Sequence, residues 1–270
     1  MSEPAVLYDK SNGLAVVTMN RPEVRNALNP EMLCRLADAW QDINDDPEVR
    51  VAILTGAGDK AFCAGADLGK LIPMVQGLRP PESEFDERIK ADYTIIYKGL
   101  LRNYQVTKPL IAAVRGFCVA GGTEILTCTD IRIAGDDARF GLAEVKWSLF
   151  PMGGSTVRLP RQISYCNAME ILLTGEQLSA ERALQMGLIN KVVAPEQVMP
   201  EAVRYADILR ANGPLAVQAV KRSVLDGFGL PPEQALEKES EYGIPVSMSE
   251  DCREGTRAFR EKRKPVFKGK

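Results

Sequence analysis

The sequence predicts an α/β fold with largely parallel strands. Three features carry that expectation: short apolar runs that do not alternate, amphipathic segments of helical period between them, and small-residue turns where runs end. Residues 5–19 alternate in part and turn at Ser11-Asn12-Gly13, which reads as a β-hairpin. A helix follows, with Asn29 as N-cap, Pro30 at the first helical position and Glu31 in the first turn. Its apolar positions Met32, Leu33, Leu36, Trp40 and Ile43 keep the helical period. Residues 49–55 form a buried strand ending in Gly56-Ala57-Gly58, and further strands cover 110–114 and 130–134. From about Ser164 the pattern is nearly all helical. Ser179 caps a short helix ending at Gly187, residues 195–210 form another, Pro214 opens one to about Gly227, and a charged tail over 250–264 ends at Pro265. The expected organisation is an α/β core over 1–195 and a helical C-terminal region over 196–270, with no Ser/Gly linker between them. Residues 71–90, with Pro73, Gly77, Pro80, Pro81 and many charges, read either as a solvated loop or as a mobile flap over a site.

Composition limits the chemistry. A chain of 270 residues, 45% hydrophobic and 26% charged, can bury a full core without disulfides or structural metals. A net charge of −2 opposes a nucleic-acid partner, which needs a basic field. Six scattered cysteines with no Cys-x-x-Cys pair point to a reducing compartment, and residues 1–10 lack the basic start and apolar run of a leader. No stretch approaches the roughly 18 apolar residues of a membrane span. The expected location is cytoplasmic, with no membrane partner. The chain has no histidine, which excludes Ser-His and Cys-His nucleophile pairs and the usual zinc sites. Proton chemistry near neutral pH falls to carboxylates, lysine, tyrosine, cysteine or water.

Two turns share their wording. Ala61-Phe62-Cys63-Ala64-Gly65-Ala66-Asp67-Leu68 and Gly116-Phe117-Cys118-Val119-Ala120-Gly121-Gly122-Thr123-Glu124-Ile125 each carry an aromatic, a cysteine, small residues and then an acid. This reads as a repeated strand-turn-helix unit whose successive copies lie side by side. Small residues let backbone approach a ligand, and N–H groups at a helix start lack intrahelical partners. One such group from each turn can converge on one oxygen and stabilise negative charge there. The alternative is that the glycines serve helix–strand packing alone. Residues 51–61 also fit Gly-x-Gly-x-x-Ala after a strand, a dinucleotide fingerprint, but Phe62-Cys63-Ala64-Gly65 interrupts the helix that fingerprint must open.

Glu124 follows the second turn beside Ile125-Leu126, and Glu144 lies between Phe140-Gly141-Leu142-Ala143 and Val145, near Trp147, Leu149 and Phe150. Apolar company raises a carboxyl pKa and keeps a proton available near neutrality. Each glutamate alone also fits a structural, salt-bridged role.

At this point the residues resemble the crotonase (enoyl-CoA hydratase/isomerase) family. The resemblance rests on Asn20-Arg21-Pro22 with Asn26-Ala27-Leu28, Phe62-x-Ala64-Gly65-Ala66-Asp67-Leu68, Lys108-Pro109-x-Ile111-Ala112-Ala113-Val114, Gly121-Gly122-x-Glu124, Cys128-x-Asp130-Ile131 and Phe140-Gly141-x-x-Glu144 with Pro151 seven residues on. It continues through Leu173-Thr174-Gly175, Ala183-x-x-x-Gly187-Leu188 and Ala258-Phe259-x-Glu261-Lys262-Arg263, in order over nearly the whole chain. It implies a spiral of ββα units with a helical C-terminal trimerisation region, a homotrimer or dimer of trimers, and an acyl-CoA substrate with no cofactor beyond the CoA it carries. It implies an oxyanion hole from the N–H groups of Ala66 and Gly121, Glu124 orienting and deprotonating water, and Glu144 delivering a proton to the α-carbon. CoA would pass Val24, Arg25, Ala27, Ala64, Asp67, Leu68 and Gly122, and Phe259 and Lys262 would reach a nucleotide, that of a neighbouring subunit included. Retention of both glutamates favours reversible hydration over an isomerase; a specialised dehydratase and a non-catalytic CoA-binding scaffold are the alternatives. The departures cluster beside Glu144: Ser148 stands where glycine is common, Trp147 is bulky, and Pro151-Met152-Gly153-Gly154-Ser155-Thr156-Val157-Arg158-Leu159 replaces a glycine-richer run.

Overall fold

Parallel strands buried on both faces need apolar side chains in both directions, and the sheet order shows why the runs here do not alternate. The computed structural model describes residues 3–270; the first two residues of the expected core segment, and of the 1–10 stretch read for a leader, lie outside it. β1 (Val6–Ser11) and β2 (Leu14–Met19) form the expected antiparallel hairpin. Asn12 and Gly13 take positive φ at its turn, as a two-residue hairpin loop requires. α1 (Pro30–Asp45) begins where expected: the Asn29 side chain accepts from the Met32 N–H at 2.9 Å, and Pro30 fills the first turn.

Three strand pairs then wind the spiral: β3 (Val51–Gly56) with β4 (Ala61–Cys63), β5 (Leu110–Val114) with β6 (Phe117–Val119), and β7 (Ile131–Gly135) with β8 (Arg139–Gly141). The first strand of each pair joins a larger sheet and the second a smaller one. With β9 (Leu178–Ser179) and β10 (Lys191–Val193), the orders are β1-β2-β3-β5-β7-β10 and β4-β6-β8-β9. Pairing is parallel throughout except at β1–β2 and β8–β9. Helices close each turn of the spiral. α2 (Leu71–Val75), α3 (Glu84–Ala91) and α4 (Thr94–Gly99) follow β4, and α5 (Gly121–Leu126) follows β6. After β8 come α6 (Ser155–Gln162) and α7 (Tyr165–Thr174), and α8 (Ala180–Gln185) precedes β10. α9 (Val198–Ala211), α10 (Pro214–Gly227), α11 (Pro232–Ser247) and α12 (Glu250–Glu261) complete the chain.

Residues 71–90 are not a loop. Leu71, Met74 and Ile89 are buried, Pro73 sits in the first turn of α2, where its missing N–H has no helical acceptor, and Ser83 caps α3. The buried Asp86 accepts from Arg79 at 3.0 Å and from the Glu82 N–H at 2.8 Å, which holds the connection between the two helices. These helices are too short to show a period in the sequence. α11 was equally hidden by its exposed, charged surface, and β9 and β10 by their length.

One face of the larger sheet meets α1, α5 and the smaller sheet in the main core. The other is covered by α9, whose Val198, Ala202 and Ala206 pack on Val51, Ile53, Ile111, Ala113 and Ile133. Trp40 is fully buried, and its ring N–H donates to the Gly99 carbonyl at 3.0 Å, joining α1 to α4. Trp40→Ala should destabilise the chain by about 3–5 kcal/mol through cavity formation, read as a fall in urea midpoint at unchanged m-value.

Candidate active site

β4 and β6 are parallel neighbours with Cys63 opposite Cys118, so the two turns that follow them leave the smaller sheet side by side. In the first, Gly65 takes φ +91 and Ala66 bridges Leu28. That bridge uses the groups on either side of Ala66: the Leu28 N–H donates to the Gly65 carbonyl at 2.8 Å, and the Asp67 N–H to the Leu28 carbonyl at 2.9 Å. In the second, the Ala120 N–H donates to the Gly141 carbonyl at 2.9 Å, and Ala120 adopts φ 51, ψ −126. Gly121 then opens α5, so its N–H is an orphan of the helix start. Neither the Ala66 nor the Gly121 N–H donates to another of the described residues. A methyl placed on Gly65 would lie 3.1 Å from the Gly121 nitrogen, and one on Gly121 would lie 3.9 Å from the Ala66 nitrogen. Two uncommitted N–H groups thus flank one small space, the arrangement that stabilises an oxyanion.

Glu124 lies in the first turn of α5 and is buried. Its Oε1 accepts from the Ser155 hydroxyl at 2.9 Å and from the Ser155 N–H at 3.3 Å, at the start of α6. Burial pushes its pKa up, and the Ser155 bonds oppose that shift. Glu144 sits in the tight helical turn Ala143–Trp147 that follows β8. Its Oε2 is buried and has no partner among the described residues. Burial, with the nearby Glu124 charge adding to it, pushes its pKa up to about 7. The two carboxyls are therefore unlike: one is clamped by donors and one is bare. Beyond Glu144, Trp147, Leu149, Phe150 and Met152 expose an apolar stretch. Ser148 takes φ 55 there, the left-handed conformation that glycine adopts without strain.

The other expected site residues divide into two groups. Val24 and Arg25 lie in an exposed turn joined to the first small-residue turn, because the Ala64 N–H donates to the Arg25 carbonyl at 3.0 Å. Asp67 pairs with Arg21 at 2.9 Å, the Ala27 carbonyl accepts from the same guanidinium, and Leu68 is 71% exposed. Gly122 faces inward: a methyl there would lie 2.4 Å from the Cys63 carbonyl, so its role in the fold is close packing of α5 on β4. Phe259 and Lys262 are elsewhere. They lie at the end of α12, which packs on α11 and the C-terminal tail, and neither bonds to the two turns among the described residues. Sequence reasoning assigned no role to Asn26 or Ser155. Asn26 is fully buried and donates to the carbonyls of Ala57 at 3.0 Å and Ala61 at 2.7 Å, fixing the approach to β4. The signal for Ser155 was its position where the family run has glycine.

With this geometry established, comparison with known proteins decides the family. The chain matches the enoyl-CoA hydratase/isomerase family over residues 9–270. It belongs to that family. An enoyl-CoA hydratase of Mycobacterium tuberculosis is 46% identical over 100% of this chain and 98% of its own length. The (E)-benzylidenesuccinyl-CoA hydratase of Thauera aromatica is 40% identical over 98% of this chain and 99% of its own. The crystal structure of an enoyl-CoA hydratase from Bacillus anthracis superposes with a TM-score of 0.88 at 34% identity, covering 98% of this chain and all of that one. The ββα spiral expected from the sequence is the fold of this family member.

Two outcomes follow from the site. Gly122→Ala should force α5 off β4, costing about 1–3 kcal/mol in a denaturant melt and abolishing turnover. The folded state favours protonated Glu144, a contribution fully present below about pH 4.5 and lost as pH rises through about 7. Urea midpoints taken at about pH 5 and about pH 8 should therefore fall further in the parent chain than in Glu144→Gln.

Proposed function

We propose that the chain adds water reversibly, in syn fashion, across the 2,3 double bond of an enoyl-CoA thioester. The observation that carries this reading is two open amides beside a buried carboxyl held by donors, Glu124, and a half-buried one whose inner oxygen is bare, Glu144. The Ala66 and Gly121 N–H groups grip the thioester carbonyl and stabilise the enolate oxygen, an interaction whose loss costs on the order of 3 kcal/mol in other enzymes. Glu124, ionised and held by Ser155, orients water and takes its proton as the oxygen bonds to C3. Glu144, raised towards neutrality by burial, gives its proton to C2 as the enolate collapses. The reverse steps are the dehydration. An isomerase moves a double bond with one acid–base group and no water, so two carboxyls at one site favour hydration over it. No cofactor is needed beyond the CoA of the substrate.

Val24, Arg25, Ala27, Ala64, Asp67 and Leu68 are the proposed CoA side of the site, joined to the oxyanion turn through Arg25 and Asp67, while the inward-facing Gly122 supports that turn from within. Phe259, 86% exposed, and Lys262 are assigned to the nucleotide of a neighbouring subunit in a homotrimer or dimer of trimers. Exposed Val220, Val224, Leu236, Ile244 and Met248 on α10, α11 and the turn after them support such an assembly. The six unpaired cysteines support a reducing, cytoplasmic location. Among the described residues no helix is long and apolar enough to cross a membrane.

Mixed with crotonyl-CoA, the purified chain should bleach the conjugated-thioester absorbance and place label from heavy-oxygen water in the product. Glu124→Gln and Glu144→Gln should each slow this about a hundredfold or more. A Glu144→Gln protein at the parent rate overturns the acid role of Glu144; turnover without label favours the isomerase, and CoA binding without turnover of any thioester favours a scaffold. The forward rate should fall as pH rises through about 7, where Glu144 loses its proton.

A further inference from the structure

Glu124 and Glu144 are chemically the same group, yet hydration needs one to hold water while ionised and the other to hold a proton. Their contacts differ at one segment, residues 153–155, and at one side chain within it. The Ser155 hydroxyl lies 2.9 Å from Glu124 Oε1, and its N–H reaches the same oxygen at 3.3 Å. Glu144 Oε2 has no such donor among the described residues. Ser155 is fully buried, so no water competes for its hydroxyl, and it is set in place by Gly154, whose φ of +105 turns the chain into α6. Gly153 packs on Glu124 from the same segment, since a methyl there would lie 2.5 Å from Oε2, and its backbone N–H also favours the charged carboxyl. The charged and titratable groups facing Glu124 are Arg158 from α6 and Glu144 from the turn after β8, with Cys128 at the end of its own helix. The Arg158 guanidinium is spent on the carbonyls of Leu101, Arg102 and Gly153, and Cys128 donates to the Glu124 carbonyl, not to its carboxylate.

We propose that the Ser155 hydroxyl is a positioning residue that clamps one oxygen of Glu124, leaves the other for water, and so assigns Glu124 the base role and Glu144 the acid role. The reason is directional. A proton on Oε1 would face an N–H that cannot accept it, and the hydroxyl would have to turn away, so both donors favour the ionised carboxylate. The clamp also fixes the χ angles of Glu124, on which the water position depends. This proposal rests on the hydratase reading of the two glutamates.

The test is Ser155→Ala, assayed for crotonyl-CoA hydration across pH. We expect kcat to fall about thirtyfold with KM within about twofold, and the acidic limb of kcat/KM to move up by about one pH unit. In a Glu124→Gln background the same substitution should change the rate less than about threefold, because Ser155 acts through Glu124. Ser155→Gly, which adds no bulk, repeats the test if the alanine protein fails to fold. An unshifted pH profile, or effects that multiply fully in the double variant, overturns the role of Ser155 while leaving hydration intact. A parent chain that hydrates no enoyl-CoA overturns the hydratase reading itself, an outcome separate from the first.

Discussion

The register between β4 and β6 governs the site. Because Cys63 lies opposite Cys118 in parallel strands, both strands stop at one level and both following turns present their N–H groups to the same space. Parallel pairing matters here: antiparallel neighbours would send the two turns to opposite ends of the sheet. The spiral achieves this by giving each turn of the chain one strand in the larger sheet and the next in the smaller. Close packing preserves the alignment. Gly122 lets α5 sit against the Cys63 carbonyl, and the Thr123 hydroxyl donates to the Cys118 carbonyl at 2.6 Å, so α5 is tied to the strand that precedes it.

The same enclosure that makes two amides valuable makes two carboxyls costly. Removing a carboxylate from water penalises its charged form, and both glutamates feel that penalty. Donors oppose it at Glu124 and are missing at Glu144 Oε2, so the two carboxyls meet the same penalty with different contacts. A histidine titrates near neutral pH with little help from its surroundings; this chain has none, and burial instead brings Glu144 to about 7.

Much of this was legible in the sequence because it depends on local rules. The N-cap at Asn29, the Asn12-Gly13 turn and the unbroken apolar runs of β3 and β5 each follow from residue type and immediate neighbours. The paired turns were legible because the chain repeats its wording at Cys63 and Cys118. What stayed hidden depends on contacts distant in sequence. Ser155 meets Glu124 from 31 positions away, and Asn26 meets Ala61 from 35. Nothing near either residue announces its partner. The helices in 71–90 were hidden because tertiary burial of Leu71, Met74 and Ile89, rather than a sustained period, stabilises them.

Backbone strain marks the same place. Ala120 holds φ 51, ψ −126, outside the left-handed helical region, a conformation that costs an L-residue roughly 1–3 kcal/mol, and it does so directly before Gly121. The surroundings hold it there from both sides: its N–H donates to the Gly141 carbonyl at 2.9 Å, and its carbonyl accepts from the Glu124 N–H at 3.0 Å. The first bond joins this turn to the end of β8, three residues before Glu144, and the second joins it to the other glutamate. A shift of Ala120 out of this conformation would therefore turn the Gly121 N–H away and disturb the backbone of both carboxyl groups together. The strained residue is the point through which the two amides and the two carboxyls share one geometry.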